Sequence, residues 1–232
     1  MKKNRMMRVA VLMLALALMT SCFVGGTFAK YTTGDSAADN ARVAKWGVEV
    51  VADGSDFFKN EYKNPGESAI TVQAASDDLV APGTSGQTTF SISGTPEVAT
   101  QVLLNVTTAK DVFVKAGTYG AYVVANDYNP IKWTLTVDDN GTPVTIAENV
   151  SLAALQTAVD AYMAGATFYA PGETLDATFT LSWSWAFTGQ DNVGDTVLGN
   201  LAVNPAYYGT LADGTFCTEV AYDFTLTVEQ VD

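Results

Sequence analysis

The sequence predicts an all-β fold: a jelly-roll-like antiparallel β-sandwich with one short helix, at about residues 151–164, in a connection. Two observations carry this prediction. Apolar and polar residues alternate along several segments rich in β-branched and aromatic residues, which is the pattern of half-buried strands. Only one segment has its apolar residues at helical spacing. Because 48% of the 232 residues are apolar, the chain can bury a substantial core.

The N-terminal 29 residues have the layout of an export signal and lie outside the predicted fold. Four basic residues within positions 2–8 precede an uninterrupted apolar run at residues 9–19, as in a signal peptide. The small residues before the junction place the expected cleavage between Ala29 and Lys30. Two alternatives stay open, namely an uncleaved membrane anchor and lipidation at Cys22 within an approximate lipobox.

Cleavage would leave a single β-sandwich domain at residues 30–232. Removing four basic residues and no acidic ones would lower the formal net charge from −13 to −17. Such a chain is a poor partner for nucleic acid and for anionic membranes, so we expect membrane contact only through the signal peptide. We expect a secreted protein of the extracellular matrix or cell surface. Its one remaining cysteine, Cys217, is expected to be buried in a strand.

The expected elements follow from local patterns. Alternation marks strands at residues 46–50, 90–92, 102–106, 133–137, 179–187 and 224–228. Asn140 and Gly141 follow one of these strands and predict a hairpin with a type I′ turn, because both central residues of that turn adopt positive φ. Ser151 is the expected N-cap of the helix, and Gly165 is its expected left-handed end. Residues 54–68 are polar and turn-rich, which indicates a loop over the sandwich.

A weak internal repeat connects two turn–strand units. Pro82-Gly83 and Pro171-Gly172 each precede a Thr-rich strand, with an offset of 89 residues at every matched position. Pro-Gly suits the two central positions of a type II turn. Two equivalent units fit the two Greek keys of a jelly roll, and chance convergence is the alternative.

Few residues point to chemistry. The chain has no histidine, which excludes Ser-His-Asp and Cys-His catalysis and His-ligated zinc, so we predict no enzyme, no catalytic residue and no cofactor. Asp191 and Asp195 are candidate calcium ligands in an oxygen-rich segment. Their spacing is not that of an EF-hand loop, and an acidic connection after the Trp-rich strand explains them better. Tyr207 and Tyr208 are candidates for a sugar platform.

Four segments carry a resemblance to a known family. Residues 25–29, Gly-Gly-Thr-Phe-Ala, look like the end of signals cut by the SipW-type signal peptidase of Gram-positive bacteria. Residues 39–48, 171–199 and 225–230 are similar to parts of exported TasA/camelysin-like proteins. The signal block is the specific motif among them, and the others are patterns. The chain therefore resembles the TasA/camelysin (CalY)-like family of biofilm matrix proteins over most of its mature length.

The resemblance implies a jelly-roll subunit of extracellular biofilm fibres that assembles by donor-strand exchange, with the N-terminal segment of one subunit filling a gap in the sheet of the next. On this chain the donor lies within residues 30–50, with Val43, Trp46, Val48 and Val50 as candidate inward side chains. Strand addition satisfies an open sheet edge, and a head-to-tail contact that does not close gives a filament. The implied partners are further copies of the chain and the SipW-type peptidase.

Other function classes remain as alternatives. The first is a monomeric cell-surface adhesin or carbohydrate-binding module that uses calcium, and a hydrolase ranks last. Camelysin-like proteins carry a metallopeptidase label, but this chain has no His-Glu-x-x-His motif. We therefore carry no protease activity over from the resemblance.

Overall fold

A computed structural model describes residues 42–53, 57–63, 71–75, 77–165, 168–187 and 191–231, and these residues form 14 strands and two helices. All their strand pairings are antiparallel. The predicted antiparallel all-β sandwich is confirmed. The expected cleavage site at Ala29 and Lys30, Cys22, and residues 30–41 of the predicted donor lie outside the described residues.

The elements follow one another along the chain with short connections. The strands are β1 (Val48–Asp53), β2 (Glu61–Lys63), β3 (Thr71–Gln73), β4 (Ser85–Gly94), β5 (Thr100–Lys110), β6 (Phe113–Val114), β7 (Gly117–Tyr119), β8 (Tyr122–Val124), β9 (Ile131–Asp139), β10 (Thr142–Val150), β11 (Phe168–Tyr169), β12 (Leu175–Trp185), β13 (Phe216–Cys217) and β14 (Ala221–Gln230). The helices are α1 (Leu152–Ala164) and α2 (Asn192–Val203). Neither described helix is long and apolar enough to cross a membrane.

Two sheets build the sandwich. The larger has the order β1-β4-β12-β9-β10, and the smaller has the order β11-β5-β14. Phe90 of β4 stacks on Phe224 of β14 with 4.2 Å between ring centroids, and Trp133 of β9 meets Tyr222 of β14 at 5.3 Å. The sheets therefore pack face to face around one core. Every second residue of β9 and of β12 is buried in that core, as the alternation predicts.

The β9–β10 hairpin confirms the predicted turn. Asp139 pairs with Thr142, and the two residues between them have positive φ, 50° at Asn140 and 79° at Gly141. These are the two positive values that a type I′ turn requires. The turn thus sets the register of the two strands from local sequence alone.

The internal repeat corresponds to a local two-fold relation. Strands β4 and β12 are antiparallel neighbours, and the equivalent residues Phe90 and Phe179 lie directly opposite each other. Both Pro-Gly turns are closed by a backbone hydrogen bond from the fourth residue to the first, and their glycines have φ of 87° at Gly83 and 81° at Gly172. These are type II turns, as predicted. Each of the two glycine N–H groups donates to a carbonyl at or just beyond the end of the partner strand, at 2.7 Å.

Helix α1 begins as predicted and ends differently. The Ser151 hydroxyl accepts the Ala154 N–H at 3.3 Å and caps the first turn. The predicted left-handed end is wrong, because Gly165 has φ of −100° and its N–H donates to the Tyr162 carbonyl three residues back. The last turn tightens in the 3₁₀ manner and satisfies that carbonyl without a left-handed residue.

Helix α2 replaces the predicted acidic connection after β12. Its N-cap is Asp191, whose carboxylate accepts the N–H groups of Val193 and Gly194 at 3.0 and 3.2 Å. Glycine, asparagine, aspartate and threonine lower the helix propensity of this segment and hide it from sequence analysis. The available signal was the apolar spacing of its buried side chains, Val197, Leu198 and Leu201.

Candidate functional site

The two sides of the sandwich are finished differently. On one side, which we call the sealed side, helix α1 packs against β5, β9 and β10 and so joins the two sheets. Its side chains Leu152, Leu155 and Val159 are completely buried. On the other side, the open side, the sheets end in the edge strands β1 and β14. Neither of these strands has a described helix packed extensively against it.

An apolar groove lies at the open side beside β14. Its volume is about 540 Å³, and its lining comprises Phe57, Phe58, Asp78, Phe90 and residues 221–224. A second hollow of about 400 Å³ shares Phe58 and Asp78 with the groove and follows residues 218–220. The two hollows together follow the chain from residue 218 to residue 224, so their shape suits an extended segment.

One wall of the groove is a loop fixed onto the larger sheet. The Trp183 indole N–H donates to the Phe57 carbonyl oxygen at 3.0 Å. Gly86, which pairs with Trp183 across β4 and β12, makes this approach possible, since a Cβ at Gly86 would lie 2.1 Å from that oxygen. The Tyr62 hydroxyl accepts the Lys59 N–H and donates to the Leu79 carbonyl, both at 2.9 Å. The segment predicted as a loop over the sandwich is thus a rigid wall.

The floor of the groove is aromatic and half-buried. Tyr222 meets Phe57 at 5.5 Å and Phe58 at 6.2 Å in edge-to-face contacts, beside the stacked pair of Phe90 and Phe224. Burial raises the pKa of Tyr222, so its hydroxyl stays neutral at physiological pH. Aromatic rings that are half covered in one copy leave apolar surface that an added strand would remove from water.

Strand β14 is an edge strand with one free side. It pairs with β5 throughout its length, and within the described residues no strand pairs with its other side. Its inward side chains, Tyr222, Phe224, Leu226 and Val228, are half-buried, whereas the alternate residues are exposed. Beside the groove, therefore, a row of backbone N–H and C=O groups is available to a further strand.

The described residues of the predicted donor lie in and before β1. Val48 pairs with Gly94 of the same chain and packs against the core. Val50 is 43% exposed, Trp46 39% and Val43 91%. A Cβ at Gly94 would lie 2.4 Å from the Gly47 carbonyl oxygen, so this glycine admits the start of β1. Strand β1 thus docks on its own chain, and a donor role in a neighbouring copy stays a prediction.

The two candidate calcium ligands hold helix α2. Asp191 caps the helix, and Asp195 Oδ1 accepts the Tyr128 hydroxyl at 2.7 Å and the Trp185 indole N–H at 3.0 Å. Burial raises the pKa of Asp195, although these two hydrogen bonds oppose the shift. Among the described residues, no three His, Cys, Asp or Glu side chains are grouped so as to hold a metal ion. A calcium ion here stays a prediction that the hydrogen bonds do not require.

The remaining candidates are placed as follows. Tyr207 and Tyr208 are in contact, with 4.9 Å between ring centroids, and the Asn200 amide donates to the Tyr208 hydroxyl at 2.6 Å. A sugar platform at this pair stays a prediction. Cys217 lies in a strand as predicted, but its thiol is half-buried rather than buried, because the two-residue strand β13 pairs only with the short strand β6.

Sequence analysis did not identify the groove. Its lining comes from segments far apart in the chain, and the signal available was the Phe57-Phe58 pair in an otherwise polar stretch. No protein-family model matches the chain, and no curated protein matches it either. The functional interpretation therefore depends on the geometry of the open side and on the sequence resemblance.

Proposed function

We propose that the chain is a secreted structural subunit of extracellular fibres, assembled by donor-strand exchange as in TasA/camelysin-like proteins. The N-terminal segment of one copy enters the groove beside β14 of the next copy. The observation that carries this proposal is the combination of an unpaired strand edge with a half-buried aromatic groove on the same side of the sandwich. An incoming strand satisfies the first with hydrogen bonds and the second with apolar side chains.

The length of the N-terminal segment supports the proposal. Because β1 is docked on its own chain from Val48 onward, the segment left to act as donor is residues 30–47. Fully extended, these 18 residues reach about 60 Å, which is far enough to leave one sandwich and enter another. Since donor and acceptor sites differ, the contact is head-to-tail and propagates into a filament.

Charge complementarity also supports this donor. Residues 30–47 carry Lys30, Arg42 and Lys45 against two acidic residues, in a mature chain whose net charge would be −17. The groove, by contrast, is lined by the carboxylates Asp78 and Asp223. The most basic stretch of the mature chain would thus enter an acidic groove, which favours this pairing over random association of like-charged copies.

Electron microscopy of the exported protein tests the proposal. The full chain is expressed with its signal in a host that processes it, and the exported protein is concentrated and imaged by negative staining. We expect filaments from the wild type and none from a chain lacking residues 30–41. Filaments from the deletion variant would contradict the donor assignment.

A groove variant provides the matched comparison. Phe224→Asp introduces a charge into the aromatic floor, whereas Phe168→Asp introduces the same charge at an exposed position of β11. We expect the first variant to stay monomeric and the second to form filaments. A wild-type protein that stays monomeric at every concentration and binds polysaccharide would instead favour the adhesin or carbohydrate-binding alternative.

A further inference from the structure

We infer that the outer edge of β1 is a second self-association surface, through which two copies pair edge to edge about a two-fold axis. This contact is separate from the proposed donor exchange, which uses residues 30–47 and β14. All six residues of β1 pair with β4, and no strand in the described part of the chain pairs with the other edge. Val50 and Val51 point to opposite faces, yet they are 43% and 49% exposed.

The opposite edge of the same sheet shows what a protected edge looks like in this protein. Strand β10 contains Pro143, has two breaks of register, and has positive φ at Asn149. Helix α1 also packs against it. These features prevent pairing with another strand. Strand β1 has an unbroken register and contains neither proline nor lysine, so it retains full capacity to pair.

Symmetry and charge select one register. In a two-fold antiparallel pair, residues opposite each other must point to the same face, so the axis passes through a residue and its own copy. Centring on Val51 would place Glu49 opposite the acidic Asp53 of the second copy, and like charges in this position are destabilising. Centring on Val50 places valine opposite valine, Val48 opposite Ala52, and Glu49 opposite Val51. The second register avoids every like-charge pair and buries the exposed valines.

This self-complementarity identifies the occupant as a second copy of the chain. Each copy carries a large negative charge, which opposes close approach at low ionic strength. The Debye length shortens from about 30 Å at 0.01 M salt to about 8 Å at 0.15 M. The contact should therefore strengthen with added salt, and in a filament it would join neighbouring filaments side by side.

Disulfide trapping tests both the contact and its register. The exported chain carries Cys217→Ser together with either Val50→Cys or Val51→Cys, and both new thiols are at exposed positions. In the inferred register the Cβ atoms of the two Val50→Cys side chains are about 4.5–5.5 Å apart, whereas those of the two Val51→Cys side chains are diagonal neighbours about 7–8 Å apart. A disulfide needs about 3.5–4.5 Å. After mild oxidation we expect several-fold more covalent dimer from Val50→Cys, and more at 0.15 M than at 0.01 M sodium chloride.

The outcomes separate this inference from the proposed function. No dimer from either variant, or equal dimer from both, would overturn the β1 contact even if filaments form. Dimers from Val50→Cys in a protein that never forms filaments would support the β1 contact and count against donor exchange. In filament-forming protein, Val50→Lys should leave single filaments intact and abolish their side-by-side association, and persistence of bundles would contradict the inference.

Discussion

The sealed side and the open side of the sandwich use the same two sheets but complete them differently. On the sealed side, helix α1 covers strands from both sheets, and its apolar side chains are fully buried. On the open side, β14 exposes one edge, and its inward residues are half-buried over an aromatic groove. Because burial of apolar area drives folding and association alike, the half-buried side holds free energy that a second copy can release. The difference between the sides is the basis of the proposed assembly.

Removing a buried side chain should separate the two sides most strongly. Leu155→Ala deletes a fully buried residue of α1 and should lower the free energy of unfolding by about 2–5 kcal/mol. Phe224→Ala removes a larger ring from the open groove, yet it should cost the monomer less than the roughly 3–5 kcal/mol typical of a sealed core. Urea unfolding of monomeric exported protein measures both. A greater loss from Phe224→Ala would show that the open side is already closed in the monomer.

Two glycines of helix α2 test how tightly the described helices are packed. A Cβ at Gly194 would lie 2.3 Å from Tyr128 Cδ1, so Gly194→Ala should destabilise the protein by about 1–3 kcal/mol. A Cβ at Gly199 would meet nothing within 4 Å, so Gly199→Ala should stabilise it by about 0.5–1 kcal/mol through helix propensity. Thermal unfolding of the pair provides the comparison. Equal effects of the two substitutions would contradict the packing of Tyr128 on the helix.

The sealed side should also respond to pH through Asp111. The Asn129 amide donates to Asp111 Oδ2 at 2.6 Å, while Asn129 Oδ1 is buried with no hydrogen-bond partner. Burial raises the pKa of Asp111 above its ordinary value, and the hydrogen bond from Asn129 opposes the shift only in part. Because the folded state holds this proton more tightly than the unfolded state, the contribution of Asp111 to stability falls as pH rises through the raised pKa.

Asp111→Asn should remove that dependence. The new amide can donate to Asn129 Oδ1 and carries no charge to desolvate, so we expect a gain of about 1 kcal/mol at pH 7. Near pH 4 the protonated Asp111 can donate in the same way, and the gain should vanish. Urea unfolding at several pH values tests this expectation. Parallel pH profiles for the two proteins would show that Asp111 does not titrate over this range.

The smallest effect is expected at an exposed aromatic residue away from the open side. Phe168 of β11 is 59% exposed, so Phe168→Ser should change the free energy of unfolding by no more than about 0.5 kcal/mol. It should also leave filament formation unchanged, since β11 is the edge of the smaller sheet opposite β14. Light scattering during assembly measures the second property. Slower assembly would mean that β11 takes part in the contact.

The parts of the fold that sequence analysis predicted are those set by local chemistry. The alternation in β9 and β12, the Asn140-Gly141 turn and the capping serine Ser151 each depend on neighbouring residues alone. Helix α2 escaped because its glycines and polar residues have low propensity, and tertiary contacts of its buried leucines and valines decide its conformation.

The groove could not be predicted for a different reason. Phe58 and Phe90 meet Tyr222 and Phe224 only because the strand order brings residues more than a hundred positions apart together. Nothing in the sequence near any of these residues specifies that neighbour. The self-docking of β1 likewise depends on Gly94, whose close contact with Gly47 appears only in three dimensions.

Hydrogen exchange of backbone amides is the most direct test of the open side as the assembly surface. Amides of β14 and β10 would be followed in monomeric protein and in assembled material of the same preparation. We expect amides on the free edge of β14 to exchange rapidly in the monomer and to become protected on assembly, with β10 unchanged. Assembled material in which β14 stays unprotected, or in which protection appears at β10 instead, would contradict strand addition at the open side.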